Sequence, residues 1–178
     1  MRALSRCNSL AFWFLTLLAV LTPLWLAGCE NKSQLEQAGF NVEKLALKSI
    51  DGDAFHISDR VKKPIVMNIW ATWCTPCIKE LPGLLELDKN ADFSVLAVAI
   101  DGKPAVIKNF LMEHDLEELP VIWDKHGKSV RGKLGLKGVP TTYIVNKNKI
   151  VVGVEQGERE WNHPDMIKKI KAYLNQES

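Results

Sequence analysis

Two cysteines with two residues between them, Cys74 and Cys77, are the residues of this 178-residue sequence best suited to chemistry. They follow an apolar segment that predicts a strand and begin a leucine-rich segment that predicts a helix. If Pro76 lies in the first helical turn, where its missing N–H costs nothing, Cys74 caps the helix and Cys77 lies one turn further on. Cα atoms three apart on a helix are about 5 Å apart, which suits a disulfide. The pair can therefore open and close without movement of the backbone.

The two cysteines differ in their expected roles. Cys74 is nearer the helix end, so its sulfur is the more exposed and faces unpaired N–H groups; we expect it to be the nucleophile and Cys77 the resolving thiol. Zinc and iron–sulfur sites also use this spacing, but they need four ligands. The chain has four cysteines, and Cys7 and Cys29 lie in or beside an N-terminal apolar stretch. We therefore favour a redox pair over a metal site or an inert pair.

The surrounding pattern predicts an alternation of strands and helices. Asp51-Gly52 predicts a hairpin turn between strands that contain Leu47 and, further on, Phe55 and Ile57. The later predicted elements are a strand at 65–71, the helix after Cys74 with a kink at Pro82, a buried parallel strand at 94–100, a helix from Pro104, a strand at 121–123, a short helix capped by Ser129, a hairpin of 141–145 and 150–154, and a last helix from Pro164. This order predicts a mixed α/β sheet with helices on both faces.

The N-terminal segment predicts export. Arg2 and Arg6 precede an uncharged run at 10–28, and they account for the formal net charge of +2, so the rest of the chain is balanced and nucleic acid is not an expected partner. Residues 26–29 resemble a bacterial lipobox, which predicts a signal peptide at 1–28, a lipid on Cys29, a tether at 29–40 and a folded domain at 41–178. An uncleaved anchor helix is the alternative.

Over about residues 41–178 the sequence resembles thioredoxin-fold proteins, and among them the membrane-tethered TlpA/ResA group of thiol-disulfide oxidoreductases. Four features carry the resemblance: Trp-Ala-Thr-Trp-Cys-Thr-Pro-Cys at 70–77, the proline at 82, Gly-Val-Pro-Thr-Thr at 138–142, and an N-terminal β-hairpin combined with a central helix-strand insertion at 104–123. The resemblance implies a thioredoxin-like mixed sheet flanked by helices.

The resemblance also implies site residues. Pro140 should be cis and lie against the Cys74 sulfur, and the Val139 backbone should pair with an incoming peptide in a strand-like manner. Trp73 should shape the surface beside Cys74, with Thr141 completing the substrate-binding set. An ordinary trans turn at the proline is the alternative.

Two positions depart from ordinary thioredoxins. Asn68 stands where thioredoxins carry a buried aspartate, whereas Glu80 matches a glutamate that is common in the TlpA/ResA group. Glu80 should lie one turn beyond Cys77, where its carboxylate could accept a proton during thiol exchange or oppose thiolate formation. The alternative is a solvated helix residue.

These features together predict an enzyme that reduces disulfides of exported proteins, such as apocytochrome c. Thr75-Pro76 supplies no positive charge that would make Cys74 a strong oxidant. An exported reductant needs electrons, so we expect a membrane thiol carrier of the DsbD or CcdA type as donor. We expect a monomer on the periplasmic side of a bacterial membrane, with no cofactor and no metal.

Three other functions remain as alternatives. A disulfide oxidase or isomerase would use the same cysteines. A peroxidase of the peroxiredoxin group would carry threonine three residues before its cysteine, whereas Thr72 stands two before Cys74. A copper-binding protein would add a histidine to the thiolates, and His126 is the best candidate for that third ligand.

Overall fold

The computed structural model describes residues 37–89 and 92–175. The predicted signal peptide, the lipidation of Cys29 and most of the predicted tether lie outside these residues. None of the helices described in these two ranges has the length and apolar character needed to span a bilayer. The fold below is that of the predicted thioredoxin-like domain.

Strands and helices alternate through the described residues as the sequence predicts, with two short 3-10 helices at Val42–Lys44 and Lys125–Gly127. The strands are β1 (Leu47–Ser49), β2 (Ala54–Phe55), β3 (Ile65–Trp70), β4 (Ser94–Ala99), β5 (Val121–Trp123), β6 (Thr141–Val145) and β7 (Val151–Gln156). The α-helices are α1 (Ile57–Arg60), α2 (Thr75–Asp88), α3 (Pro104–Glu113), α4 (Lys128–Leu134) and α5 (Pro164–Asn175).

These strands form one sheet in the order β2-β1-β5-β4-β3-β6-β7. The central strands β3, β4 and β5 are parallel, whereas the hairpins β1–β2 and β6–β7 extend the sheet at its two edges through antiparallel pairs. Every residue of β3 is buried, because the strand has a neighbour on each side and helices flank the sheet. The predicted mixed sheet, with its N-terminal hairpin and its helix-strand insertion α3–β5, is confirmed.

The N-terminal hairpin is shorter than the sequence predicts. Its turn is closed by the Ser49 hydroxyl, which accepts hydrogen bonds from the N–H groups of Asp51 and Asp53 at 3.2 Å. The prediction that Ile57 belongs to its second strand is wrong, because β2 ends at Phe55 and Ile57 begins α1. Ile57 is nevertheless buried, since a single helical turn brings the same apolar side chain to the core.

The predicted N-cap of α4 is also wrong. The cap residue is Gly127, and the Asp124 carboxylate accepts from the N–H groups of Ser129 and Val130 at 3.1 and 2.8 Å. The Ser129 hydroxyl instead accepts from the N–H of Ala46 at 2.9 Å. Asp124 can accept from the N–H groups at the start of α4 in place of the nearer Ser129, because the 3-10 turn between them folds the chain back onto the helix start.

Helix α2 carries the cysteines in the manner predicted. Cys74 is the N-cap, Pro76 lies in the first turn, and the helix continues past Pro82 to Asp88. Its buried side chains recur at intervals of three and four residues, as a helix with one face on the core requires: Cys77, Glu80, Leu81, Leu84 and Leu87. One charged residue therefore shares the buried face with the leucines and with Cys77.

Candidate active site

The two cysteines form a disulfide at the start of α2. Their Cα atoms are 5.2 Å apart, close to the separation expected for positions three apart on a helix. The N–H of Cys77 also points at the Cys74 sulfur, with a nitrogen-to-sulfur distance of 3.3 Å. The cap of the helix and the redox pair are thus the same two residues.

Exposure distinguishes the two sulfurs. Cys74 is 5% exposed, whereas Cys77 is fully buried. The neighbouring Trp73 is 65% exposed and gives the protein a large apolar surface beside Cys74. Cys74 is therefore the more accessible of the two residues, which is the order that the predicted nucleophile and resolving thiol need.

The turn before Cys74 is fastened to the neighbouring strand by Asp101. This buried carboxylate follows β4 and accepts from both the N–H of Thr72, at 3.2 Å, and the Thr72 hydroxyl, at 2.6 Å. The carbonyl of Asp101 in turn accepts from the indole N–H of Trp123 at 2.7 Å. The Thr72 hydroxyl proton is therefore used to hold the turn, and no motif in the sequence predicts this role for Asp101.

The predicted cis peptide bond is present between Val139 and Pro140. Thr141, predicted to contact substrate, is buried, and its hydroxyl donates to the carbonyl of Gly138 at 2.8 Å, which fastens the turn. Val139 is half-buried, and no backbone hydrogen bond involves it within 37–89 and 92–175. Its main chain is free to pair with a peptide in the strand-like manner that we predict.

Glu80 is buried, so the alternative of a solvated helix residue is wrong. Its side chain is 3% exposed, and each carboxylate oxygen has its own partners. Oε1 accepts from the Asn68 side-chain amide at 2.7 Å, and Oε2 accepts from the N–H of Arg159 and from the indole N–H of Trp161, each at 3.0 Å. Asn68 also donates to the Thr142 hydroxyl at 2.9 Å.

The electrostatics of this cluster raise the pKa of Glu80. Burial raises the pKa of Glu80 above its usual value, and the nearby charge of Glu158 acts in the same direction. Hydrogen bonds from Trp161, Asn68 and the Arg159 N–H lower the pKa and offset part of that rise. Among residues 37–89 and 92–175, no cationic side chain pairs with this carboxylate, so Glu80 is suited to exchange a proton with a thiol one helical turn away.

No motif in the sequence predicts two members of the cluster, Trp161 and Arg159. Trp161 is fully buried, and its indole N–H donates a hydrogen bond to Glu80. Arg159 contributes only its backbone N–H to Glu80, so its side-chain type carries no signal. The sequence distinguishes Asn68 only as the residue that replaces the buried aspartate of thioredoxins. The structure shows that its side-chain amide donates a hydrogen bond to Glu80.

Metal ligation finds no support in the described part of the chain. No group of three histidine, cysteine, aspartate or glutamate side chains there could hold a metal ion. The ring of His126, proposed as a third copper ligand, lies against Gly102, where an added Cβ would be 2.8 Å from its Cε1 atom. A cavity of about 950 Å³ lies around Trp123 and α4, and neither Cys74 nor Cys77 lines it.

The fold and the site together define a class of protein. A buried strand leads into a helix capped by one cysteine of a disulfide, and the chain also carries a cis proline. This arrangement defines a thioredoxin-fold thiol-disulfide oxidoreductase.

Comparison with known proteins narrows the class. Residues 38–154 match the family model described as AhpC/TSA family. A thiol-disulfide oxidoreductase ResA from Oceanobacillus iheyensis is 29% identical over 168 residues, which are 90% of this chain and 83% of that protein. The chain belongs to the AhpC/TSA family, within which it is a ResA-like thiol-disulfide oxidoreductase.

Solved structures agree with this assignment. A Chlorobium tepidum protein described as thiol:disulfide interchange protein DsbE matches with a TM-score of 0.65 and 28% identity, covering 77% of this chain and 97% of that one. The exposed lipoprotein thioredoxin Etrx1 of Streptococcus pneumoniae strain TIGR4 matches with a TM-score of 0.60 and 29% identity, covering 71% and 96%.

Proposed function

We propose that this oxidoreductase is a reductant of disulfides in exported proteins, held to the outer face of a bacterial membrane. The observation that carries the proposal is the buried Glu80, which lies on α2 one turn beyond Cys77 and has only neutral hydrogen-bond donors. This carboxylate can take the proton that Cys77 must lose.

The first step is attack on the substrate. The Cys74 thiolate attacks one sulfur of a substrate disulfide, forms an intermolecular disulfide and releases the other substrate sulfur as a thiolate, which takes a proton from water. The exposed Trp73 and the free backbone of Val139 provide the surface on which the substrate peptide lies.

The second step releases the product. Cys77 transfers its proton to Glu80, and its thiolate attacks the Cys74 sulfur. The Cys74–Cys77 disulfide forms, and the second substrate sulfur leaves and is protonated. Two electrons have then passed from the protein dithiol to the substrate disulfide, and the protein is in the oxidised form described above.

The surroundings of Cys74 support this direction of electron flow. A helix N-terminus stabilises a thiolate by about 0.3–1 kcal/mol, and by ~2 at most. Thr75 and Pro76 add no charge, and the Lys79 ammonium lies 3.9 Å from the Glu158 carboxylate, with which it forms an ion pair. Strong oxidants stabilise the thiolate of their reduced form much further.

The N-terminal sequence and one structural neighbour support the proposed location. The lipobox-like residues 26–29 support a lipid on Cys29, and the pneumococcal structure is of a protein described as an exposed lipoprotein. Blocking lipoprotein signal peptidase in cells should change the gel mobility of the chain. Unchanged mobility would contradict the lipid anchor and favour the uncleaved helix.

The partners are proposed on the same basis. Exported proteins with disulfides, apocytochrome c among them, are the substrates, and a membrane thiol carrier of the DsbD or CcdA type is the electron donor. The resemblance to the TlpA/ResA group supports both, and the oxidising compartment makes a donor necessary.

The deciding experiment is the reduction potential of the Cys74–Cys77 pair in the purified full chain, equilibrated against dithiothreitol and glutathione buffers. A reductant should give a value near that of thioredoxin, ~ −270 mV. A value near ~ −120 mV, as for DsbA, would contradict the proposal and identify an oxidase that passes electrons to an acceptor.

Substrate capture tests the order of the two thiols. Cys77→Ser should accumulate intermolecular disulfides with exported proteins, because nothing resolves them. Cys74→Ser is the matched control and should trap none. Equal trapping by both variants would show that Cys74 is not the attacking thiol.

A further inference from the structure

The connection between β7 and α5 contacts Glu80 through two hydrogen bonds. From this connection, the N–H of Arg159 and the indole N–H of Trp161 both donate to Oε2 of Glu80, each at 3.0 Å. Asn68, on the sheet, donates to the other oxygen of Glu80, Oε1, at 2.7 Å. One oxygen of the carboxylate is therefore held by the sheet and the other by this connection.

We propose that Trp161 is a positioning residue for thiol exchange, in that its indole N–H holds Oε2 and keeps the carboxylate form of the buried Glu80 accessible. The inference rests on the proposed role of Glu80 as acceptor of the Cys77 proton. In this role Trp161 acts through Glu80, to which its indole N–H donates.

The position of Trp161 is fixed by contacts with α2. A Cβ added to Gly83 would lie 3.5 Å from the Trp161 nitrogen and 3.4 Å from Oδ1 of Asn162, so the connection runs close against the helix there. Asn162 also donates to Glu86 at 2.5 Å. The indole therefore reaches Glu80 from a part of the chain that is tied to the helix bearing Glu80.

In the part of the chain that the structure describes, no cationic side chain donates to Glu80 in place of the indole. The sheet residues of the cluster, Asn68 and Thr142, are neutral. On α2, the Cys77 thiol is the group whose proton Glu80 is proposed to accept. Glu158 on the connection is negative and raises the pKa of Glu80, although it pairs with Lys79 at 3.9 Å.

The guanidinium of Arg159 does not serve Glu80 either. Its Nε atom donates to Glu155 at 3.2 Å, and only its backbone N–H reaches Glu80. Among the hydrogen bonds that favour the charged form of Glu80, the bond from Trp161 lowers its pKa the most.

The test compares two tryptophan substitutions in the oxidised full chain, in which the cysteines do not titrate. Trp161→Phe removes the N–H and keeps an aromatic ring, and the carboxyl ¹³C resonance of Glu80 should then titrate about one pH unit higher than in the wild type. Trp70→Phe is the matched control, because Trp70 is also fully buried but its Nε1 atom has no hydrogen-bond partner among the described residues. An unmoved midpoint in Trp161→Phe, or an equal shift in Trp70→Phe, would overturn the inference.

A wild-type measurement covers the case in which Trp161→Phe does not fold. The indole ¹⁵N–¹H resonance of Trp161 should titrate with the same midpoint as Glu80 and should stop titrating in Glu80→Gln. An indole resonance that does not respond to pH would overturn the inference without any tryptophan substitution.

The kinetics separate this inference from the proposed function. Resolution of a preformed intermolecular disulfide should lose rate towards acid pH, and in Trp161→Phe this acid limb should move up by the same amount as the Glu80 midpoint. If Glu80→Gln resolves the intermolecular disulfide with the wild-type pH profile, the proposed role of Glu80 fails. This holds even if Trp161→Phe shifts the titration of the Glu80 carboxyl resonance. If Glu80→Gln removes the limb and Trp161→Phe leaves it in place, only the role of Trp161 fails.

Discussion

Two buried carboxyl groups that share Arg159 as a hydrogen-bond partner have pKa values shifted in opposite directions. Glu80 on α2 is 3% exposed and Glu155 on β7 is 4% exposed, and Arg159 bonds to both of them. The pKa of Glu80 is raised, whereas that of Glu155 is lowered.

The difference lies in the charge of the partners. Burial raises the pKa of both carboxyl groups. At Glu155, that rise is outweighed by Lys169, whose ammonium is 2.5 Å from Oε1, by the Tyr173 hydroxyl at 2.7 Å and by the Arg159 guanidinium at 3.2 Å. Glu80 receives three hydrogen bonds from neutral groups, which do not outweigh burial. Glu155 is therefore suited to hold structure together, and Glu80 to exchange a proton.

The largest expected effect is the loss of the acceptor in the Glu80 cluster. Glu80→Ala leaves the N–H groups of Arg159 and Trp161 buried without an acceptor, at about 1–3 kcal/mol for each, so we expect a net loss of about 2–4 kcal/mol in the free energy of unfolding. Glu80→Gln keeps an acceptor oxygen and should lose less. Urea unfolding of the three proteins at pH 7 measures both, and an alanine variant as stable as the wild type would show that these bonds contribute nothing.

The pH dependence of stability should have opposite signs at the two carboxylates. The folded-state pKa of Glu80 lies above its unfolded value, so its contribution is fully present below the unfolded pKa and is lost as pH rises through the folded pKa. The pKa of Glu155 is depressed on folding, so its contribution is present above the unfolded pKa and is lost as pH falls through the folded one.

The difference in unfolding free energy between the wild type and Glu80→Gln should therefore fall with rising pH, and that between the wild type and Glu155→Gln should rise. Each slope has a limit of about 1.4 kcal/mol per pH unit. Urea unfolding from pH 3 to 8 provides both curves. Two slopes of the same sign would contradict the opposite pKa shifts of Glu80 and Glu155.

The two tyrosines of the chain provide a local probe of Glu155. Burial raises the pKa of Tyr143 to about 12, and burial together with the hydrogen bond and charge of Glu155 raises that of Tyr173 to about 12. Glu155→Gln should lower the Tyr173 value and leave Tyr143 unchanged. In a Tyr143→Phe background, tyrosinate absorbance reports the titration of Tyr173 alone. If the Tyr173 midpoint is the same with and without Glu155→Gln, the Glu155–Tyr173 contact is contradicted.

The smallest effect is expected for Arg159→Ala. This change removes the guanidinium from Glu155 but keeps the backbone N–H that Glu80 accepts. Because the Arg159 side chain is 34% exposed, solvent screens the pair, and we expect a loss of about 0.2–1 kcal/mol that shrinks in high salt. Unfolding at low and high ionic strength measures it, and a shift in the titration of the Glu80 carboxyl would show that the side chain serves both sites.

The sequence could predict features that depend on short separations. The cap at Cys74, the first-turn Pro76, and the position of Glu80 one turn beyond Cys77 all follow from helical spacing, which acts over three or four residues. The alternation of apolar segments predicted the strands for the same reason. Local patterns failed where two local structures bury the same side chain, as at Ile57, or where a more distant acceptor competes, as Asp124 does with Ser129 at the start of α4.

The tertiary structure alone decided what the carboxylates do. The donors to Oε2 of Glu80 lie 79 and 81 residues further along the chain, so no helical or strand period connects them to it. Glu155 carried no motif, and its cations come from the connection after β7 and from α5. The sequence by itself determined that two thiols and a carboxylate share one helix. Folding determined which carboxylate meets neutral donors and which meets cations, because the sign of a pKa shift depends on groups that only the packed chain brings within a few ångströms.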